Sequence, residues 1–309
     1  MGLISAFIPI WALATVGYLA RRRGLLGEEA SSVLGRFVFH LAMPAALFLT
    51  LAATPVSRFS FLPLLAFGLS SVLVIGVGWV AAGRLFDRKP AERPIWGMAA
   101  GYVNSANLGI PIAQQVLGSM SFLAEVVLVQ TLVLTPVVLT ALDRHSGAVG
   151  RAGLRRLASL PVRNPVILAS LLGVVWSATG HSVPTQLAGP LNLLAGAAVP
   201  TALVALGASL YTGPRTGEGP ATTPTEIAAI TVLKLVAQPS IAFAIGLLLQ
   251  LSHAQLLTVV VCAGLPTAQN TFIFAQEYRT GEALANRGVM VTTTLSLATL
   301  AAAAALLGR

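Results

Sequence analysis

The sequence predicts an all-α polytopic membrane protein of ten transmembrane helices, built as a 5+5 inverted repeat with two crossed, broken helices at spans 4 and 9. Three observations carry that prediction. Of 309 residues, 56% are hydrophobic and 9% charged, against roughly a quarter charged in a soluble domain. The apolar residues fall in blocks of about 20, the length that takes a helix across the hydrocarbon of a bilayer. Prolines, glycines and amides recur across the middle of the chain at nearly constant offsets.

In order, the blocks cover about 3–20, 31–53, 61–82, 95–117, 121–142, 164–180, 187–211, 226–250, 255–276 and 286–308. The first has no basic residue ahead of it and Arg21, Arg22 and Arg23 directly behind it, the reverse of a cleavable signal peptide. Short connections rich in Lys and Arg stay on the cytoplasmic side. The first connection is therefore expected inside and the N-terminus outside. Connections 1, 3, 5, 7 and 9, with the residues adjoining them, hold 16 of the 19 basic residues. Only Arg58 and Arg309 fall on the other side, and Lys234 lies within a block. An even number of crossings of the cell membrane, with both termini outside, follows from that asymmetry. Cys262 sits in an apolar run as a packing residue.

The longest connection is basic and divides the chain into a first five-helix repeat (1–142), a cytoplasmic connecting loop (143–163) and a second repeat (164–309). Pro9, Gly17 and Pro44 match Pro165, Gly173 and Pro200 at an offset of 156. At an offset of 162, Ser105-Ala106-Asn107 matches Thr267-Ala268-Gln269, and Ala113-Gln114 matches Ala275-Gln276. Five spans per half force the second half to enter the membrane from the opposite side, the symmetry on which many secondary transporters are built.

Little in the spans can do chemistry. Of ten acidic residues nine lie in or beside the cytoplasmic connections and Glu125 alone lies further inside a block, which argues against a proton-pumping carboxylate pair or an intramembrane protease. His40, His145, His181 and His253 are scattered without ligand spacing, so no metal site or cofactor is expected, and no catalytic nucleophile constellation is recognisable. The basic residues form no face with interleaved aromatics, which excludes a nucleic-acid partner. His40, Glu125, Lys234 and Gln238 are candidates for coupling or support.

The distinctive polar material lies in blocks 4 and 9. The first reads Asn104-Ser105-Ala106-Asn107-Leu108-Gly109-Ile110-Pro111 and the second Pro266-Thr267-Ala268-Gln269-Asn270-Thr271. Proline removes a backbone donor and glycine loosens the chain, so a continuous helix is not expected in either. Unwound backbone in hydrocarbon must be buried in protein or line a wet cavity. Breaks at equivalent positions imply one shared polar site. It consists of Asn104, Ser105, Asn107, Gly109, Pro111, Pro266, Thr267, Gln269, Asn270 and Thr271. Following half-helices would turn positive N-terminal ends towards it, and carboxamides and hydroxyls add donors, which favours an anion. Pro44 and Pro200 are second-rank candidates. A secondary carrier for a small organic anion is the leading reading; a channel-like passive anion uniporter is the alternative.

The Asn104-to-Pro111 segment resembles the auxin efflux carrier family of transporters. So do the Leu265-to-Ala268 break with the following Phe274-Ala275-Gln276-Glu277-Tyr278, and the closing run Val291 to Leu297. The likeness extends over essentially the whole chain, with a central loop as short as in bacterial members. The resemblance implies a fold like that of the bile-acid sodium symporters, with a scaffold domain and a transport domain holding the crossed helices. It also implies elevator-type alternating access, a homodimer through the scaffold, and a malonate- or malate-like mono- or dicarboxylate, or an auxin-like acid, as substrate. The sodium-binding acids of the bile-acid branch have no evident counterpart here.

Overall fold

The computed structural model describes residues 8–54, 61–146, 165–211 and 222–307. In chain order the helices are α1 (Ile8–Arg22), α2 (Ala30–Ala52), α3 (Phe61–Arg84), α4 (Arg93–Gly101), α5 (105–117), α6 (121–146), α7 (Pro165–Ala178), α8 (Thr185–Leu210), α9 (Pro224–Leu248), α10 (His253–Ala263), α11 (Gln269–Glu277) and α12 (Glu282–Leu307). Regular structure among the described residues is otherwise limited to one antiparallel β-bridge, between Val103 and Thr267. Each apolar block holds one helix, except that blocks 4 and 9 each hold two. Five helices, α2, α3, α8, α9 and α12, are long and apolar enough to cross a bilayer.

Helix ends depart from the hydropathy boundaries where capping decides them. The Thr223 side chain accepts from the Glu226 N–H and the Glu226 carboxylate accepts from the Thr223 N–H, so α9 starts at Pro224, ahead of the expected block start at 226. Ser252 and Gln255 do the same for α10. At its far end α6 runs on to Ser146, into the expected connection, of which residues 147–163 lie outside the described residues.

Four prolines inside the apolar helices are absorbed by widened turns. The π-helical segments Val38–Ala42, Ser105–Gly109, Gln130–Leu134 and Leu233–Ala237 each end two residues before Pro44, Pro111, Pro136 and Pro239 respectively. The N–H groups of Met43, Thr135 and Gln238 reach back five residues, to the carbonyls of Val38, Gln130 and Leu233. One extra residue in the turn takes the preceding carbonyl out of the path of the proline ring, so the helix bends without ending. Pro200 behaves differently from its sequence counterpart Pro44. It lies inside the α-helix of α8, as does Pro190.

Backbone proximity separates the chain into two compact units, each drawing on both halves of the sequence. The first comprises α1, α2, α5, the start of α6, α7 and α8. Within it α1 lies against α8 at two glycines: a methyl group at Gly17 or Gly207 would overlap the backbone at Val204 or Ala14. Gly173 of α7 similarly faces Phe48 and Leu51 of α2. The Phe48 and Trp176 rings meet edge-on at 6.3 Å and the Ser177 hydroxyl donates to the Thr54 carbonyl at 2.7 Å. Lipid is as apolar as the side chains that would be buried, so close backbone approach and interhelical hydrogen bonds do the holding.

The second unit comprises α3, α4, the rest of α6 and α9 to α12. Gly97 and Gly101 on one face of α4 press against Ile75 and Ser71 of α3. Trp96 is fully buried and stacks on Phe86 at 5.6 Å. The Tyr278 hydroxyl donates to Asp143 at 2.5 Å, tying the end of α11 to the end of α6.

Candidate functional site

The two expected breaks are present, and both fall in the second unit. Helix α4 stops at Gly101, and Tyr102 is extended at φ −92°, ψ 114°. Helix α10 stops at Ala263, and α11 does not begin until Gln269. The interrupted stretches pair with each other. The Asn104 N–H donates to the Pro266 carbonyl at 2.7 Å and the Ala268 N–H to the Tyr102 carbonyl at 3.0 Å, around the Val103–Thr267 bridge. Peptide groups that the breaks strip of helical partners thereby satisfy one another, which matters where an unpaired group costs several kcal/mol. Pro266 fits because only its carbonyl is used.

Side chains from neighbouring helices brace this bridge. Gln130 Nε2 donates to the Val103 carbonyl at 2.9 Å, and the Tyr102 hydroxyl lies 2.8 Å from Thr135 Oγ1. On the other stretch, the Thr267 N–H donates to Thr292 Oγ1 at 3.2 Å and the Thr267 hydroxyl donates to the Ala99 carbonyl at 2.6 Å. Gln130 and Thr292 stand at the same offset of 162 that relates the two breaks. Sequence reasoning missed both. The signal was available, since a carboxamide in the apolar run of α6 and a hydroxyl in α12 fall at matched positions in the spans after each break. Gln130→Leu is expected to strand the fully buried Val103 carbonyl and cost about 1–3 kcal/mol, read as a lower thermal midpoint of the purified protein.

The remaining expected residues divide as follows. Asn104, at 3% exposure, Pro266 and Thr267 are buried at the bridge. Beyond it, in the first turn of α11, Gln269 is exposed, Asn270 half-buried and Thr271 fully buried. Thr271 Oγ1 has no hydrogen-bond partner among the described residues. Ser105, Gly109 and Pro111 are buried in α5, which belongs to the first unit, and the side chain of Asn107 lies outside the described residues. The half-helix expected after the first break is not an ordinary α-helix. Segment 105–117 is two π-helical stretches around the short α-turn Ile110–Ile112, because Pro111 forces a wide turn ahead of it.

Among the candidates for coupling or support, His40 is exposed with Nδ1 3.0 Å from the Arg36 carbonyl, and Glu125 is buried at 6% exposure, both in the first unit. Lys234 and Gln238 are fully buried in the second unit and joined to each other, Lys234 Nζ donating to Gln238 Oε1 at 2.5 Å. Lys234 also donates to the Ala263 carbonyl at 2.8 Å, and Gln238 Nε2 donates to the Gly101 carbonyl at 3.0 Å. The two side chains thus reach the last residues of α10 and α4, directly ahead of both breaks. Among the described residues no group of three His, Cys, Asp or Glu is placed to hold a metal.

One ion pair in this unit was not foreseen. Arg88 grips Glu226 with two hydrogen bonds, Nε to Oε1 at 2.7 Å and Nη2 to Oε2 at 2.6 Å. Hydrogen bonding to Glu226 raises the guanidinium pKa above its ordinary value. By sequence Arg88 is one of the basic residues counted in the third connection.

The family model described as "Membrane transport protein" matches residues 3–149 and 153–303. The chain is 28% identical over 304 residues to a protein of Rhizobium meliloti (strain 1021) named "Putative malonate transporter", covering 94% of this chain and 92% of that one. It is also 28% identical over 315 residues to an "Uncharacterized transporter" of Methanothermobacter thermautotrophicus, covering 97% of each chain. Identity is 26% over 292 residues to "Uncharacterized transporter YfdV" of Escherichia coli (strain K12), covering 91% of each.

Proposed function

We propose, from the premise that this chain belongs to the Membrane transport protein family, as its likeness to auxin efflux carriers led us to expect, that it is a secondary carrier for a small dicarboxylate. It is a membrane protein and a transporter rather than an enzyme. The observation that carries the substrate class is the first turn of α11, which opens directly after the paired breaks. Its N-terminal end favours negative charge. The buried Thr271 hydroxyl beside it lacks a partner among the described residues, and Asn270 offers a carboxamide. A carboxylate accepts hydrogen bonds from all of these groups. The name of the Rhizobium relative points in the same direction, to malonate.

In this reading residues 1–142 and 164–309 are inverted five-helix repeats joined by 143–163, the ten spans leave both termini outside the cell membrane, and a homodimer forms through the scaffold. The second unit, which contains both breaks, is the transport domain of an elevator cycle, and the first unit is the scaffold. Within the second unit the substrate contacts are Asn104, Pro266, Thr267, Gln269, Asn270 and Thr271, while Ser105, Asn107, Gly109 and Pro111 belong to α5 of the first unit.

The test is uptake of labelled malonate into proteoliposomes. Wild-type protein is expected to accumulate label and to exchange it against internal malonate. Asn270→Ala and Thr271→Val are each expected to weaken apparent affinity about tenfold, the worth of one hydrogen bond to a charged group, while leaving the thermal midpoint unchanged. Uptake without stimulation by internal malonate would favour a passive pore, and unaltered affinity in both variants would remove the site assignment.

A further inference from the structure

Lys234 is the largest buried polar side chain of the described residues, fully buried and without an ion pair among them. To stay protonated, a buried lysine without a carboxylate requires another source of negative potential. Its surroundings supply one. Helices α4 and α10 end at Gly101 and Ala263, and the C-terminal end of a helix carries a partial negative charge on its last carbonyls. Lys234 Nζ bonds the Ala263 carbonyl directly at 2.8 Å and Gln238 Oε1 at 2.5 Å. Gln238 is oriented by donating its own amide to the Gly101 carbonyl at 3.0 Å and to Ser71 Oγ at 3.1 Å, which leaves its oxygen directed at the ammonium.

The wide turn at Leu233–Ala237 contributes to this geometry. It places Lys234 within the turn and Gln238 just beyond it, ahead of Pro239, so that around one polar pocket Lys234 Nζ meets Gln238 Oε1 and the Ala263 carbonyl, and Gln238 Nε2 meets the Gly101 carbonyl and Ser71 Oγ. That pocket is lined by neutral oxygens and biased by two helix C-termini, the chemistry that suits a hard monovalent cation. We infer that the carbonyl cradle between the ends of α4 and α10 is a monovalent-cation site whose ion is built into the chain as Lys234 Nζ. Removing the ammonium should therefore create a site for an alkali ion from solution. A merely structural lysine would leave only a cavity.

The experiment compares thermal unfolding of the purified full-length protein in choline chloride with sodium, potassium and lithium chloride at equal ionic strength. Wild-type protein is expected to show the same midpoint in all four. Lys234→Ala is expected to be destabilised in choline and to recover on the order of 5 °C, saturably, in at least one alkali salt, as mass action requires of a ligand that binds only the folded form. Lys234→Ala combined with Gln238→Glu places a carboxylate in the cradle and should respond at lower salt than the single variant; it decides the matter if the single variant does not fold. No alkali-ion response in either variant overturns the inference, and so does a response of the same size in the wild type. Unfolding reads the cradle without reference to transport, so this result stands apart from the uptake assay.

Discussion

Replacing Arg88 by alanine is expected to cost on the order of 3 kcal/mol, because removing one partner of a largely buried ion pair leaves the other charge without compensation. Glu226 cannot escape to solvent: its side chain is 3% exposed and also caps α9 through Thr223. The Arg88 side chain is 12% exposed and holds both carboxylate oxygens, so water cannot readily take its place. Glu92 lies 3.6 Å from Arg88 and is the minor partner. The thermal midpoint of purified Arg88→Ala should fall by several degrees, and Glu92→Ala should change it by less than about 1 kcal/mol equivalent. The double variant Arg88→Ala/Glu226→Ala should recover part of the loss. If the double variant is no more stable than Arg88→Ala, the cost is not that of a stranded carboxylate.

A second large effect is expected from a single methyl group. In Gly101→Ala the new Cβ would lie 2.6 Å from Ile75 Cγ1, 2.9 Å from the Ile75 nitrogen and 3.1 Å from the Ser71 carbonyl oxygen. Ile75 can shift its side chain but not its backbone, so α3 and α4 must move apart, at a cost typical of overpacking, about 1–3 kcal/mol. The displacement also acts on the Gly101 carbonyl that receives Gln238, so malonate uptake should fall along with the midpoint. Gly76→Ala on α3, where a Cβ meets nothing within 4 Å, is the control and is expected to be neutral or slightly stabilising. Equal behaviour of the two variants would show that the close α3–α4 approach is not what limits position 101.

Both substitutions concern residues that reading the chain alone undervalued, for a physical reason. Arg88 sits in a cluster with Arg84, Lys89 and Arg93 that reads as an orientation signal. Only folding sets it apart, by bringing Glu226 to it across 138 residues of sequence. Gly101 looks like any glycine beside a break until Ile75 is seen against it. Gln130 and Thr292 were missed similarly: hydroxyls and lone amides are common in helices, and only a particular carbonyl within reach makes one of them a brace. Lys234 is ambiguous by sequence, since it lies inside a block and yet a long stem can carry its charge to the nearby membrane surface. The structure turns it inward, onto Ala263 and Gln238.

The sequence by itself determined the helical class, the positions of the apolar blocks and the two interruptions, because these follow from local properties: the length of apolar runs and the inability of proline to continue a hydrogen-bonded turn. It also placed Asn104 and Thr267 among the polar residues of the two breaks. Only the tertiary structure decided that the broken stretches pair as an antiparallel bridge, that the turns before Pro44, Pro111, Pro136 and Pro239 widen, and that a lysine closes the ends of α4 and α10. Those features depend on which carbonyl lies within about 3 Å of which donor. Residues far apart in the chain acquire such neighbours only when the helices pack.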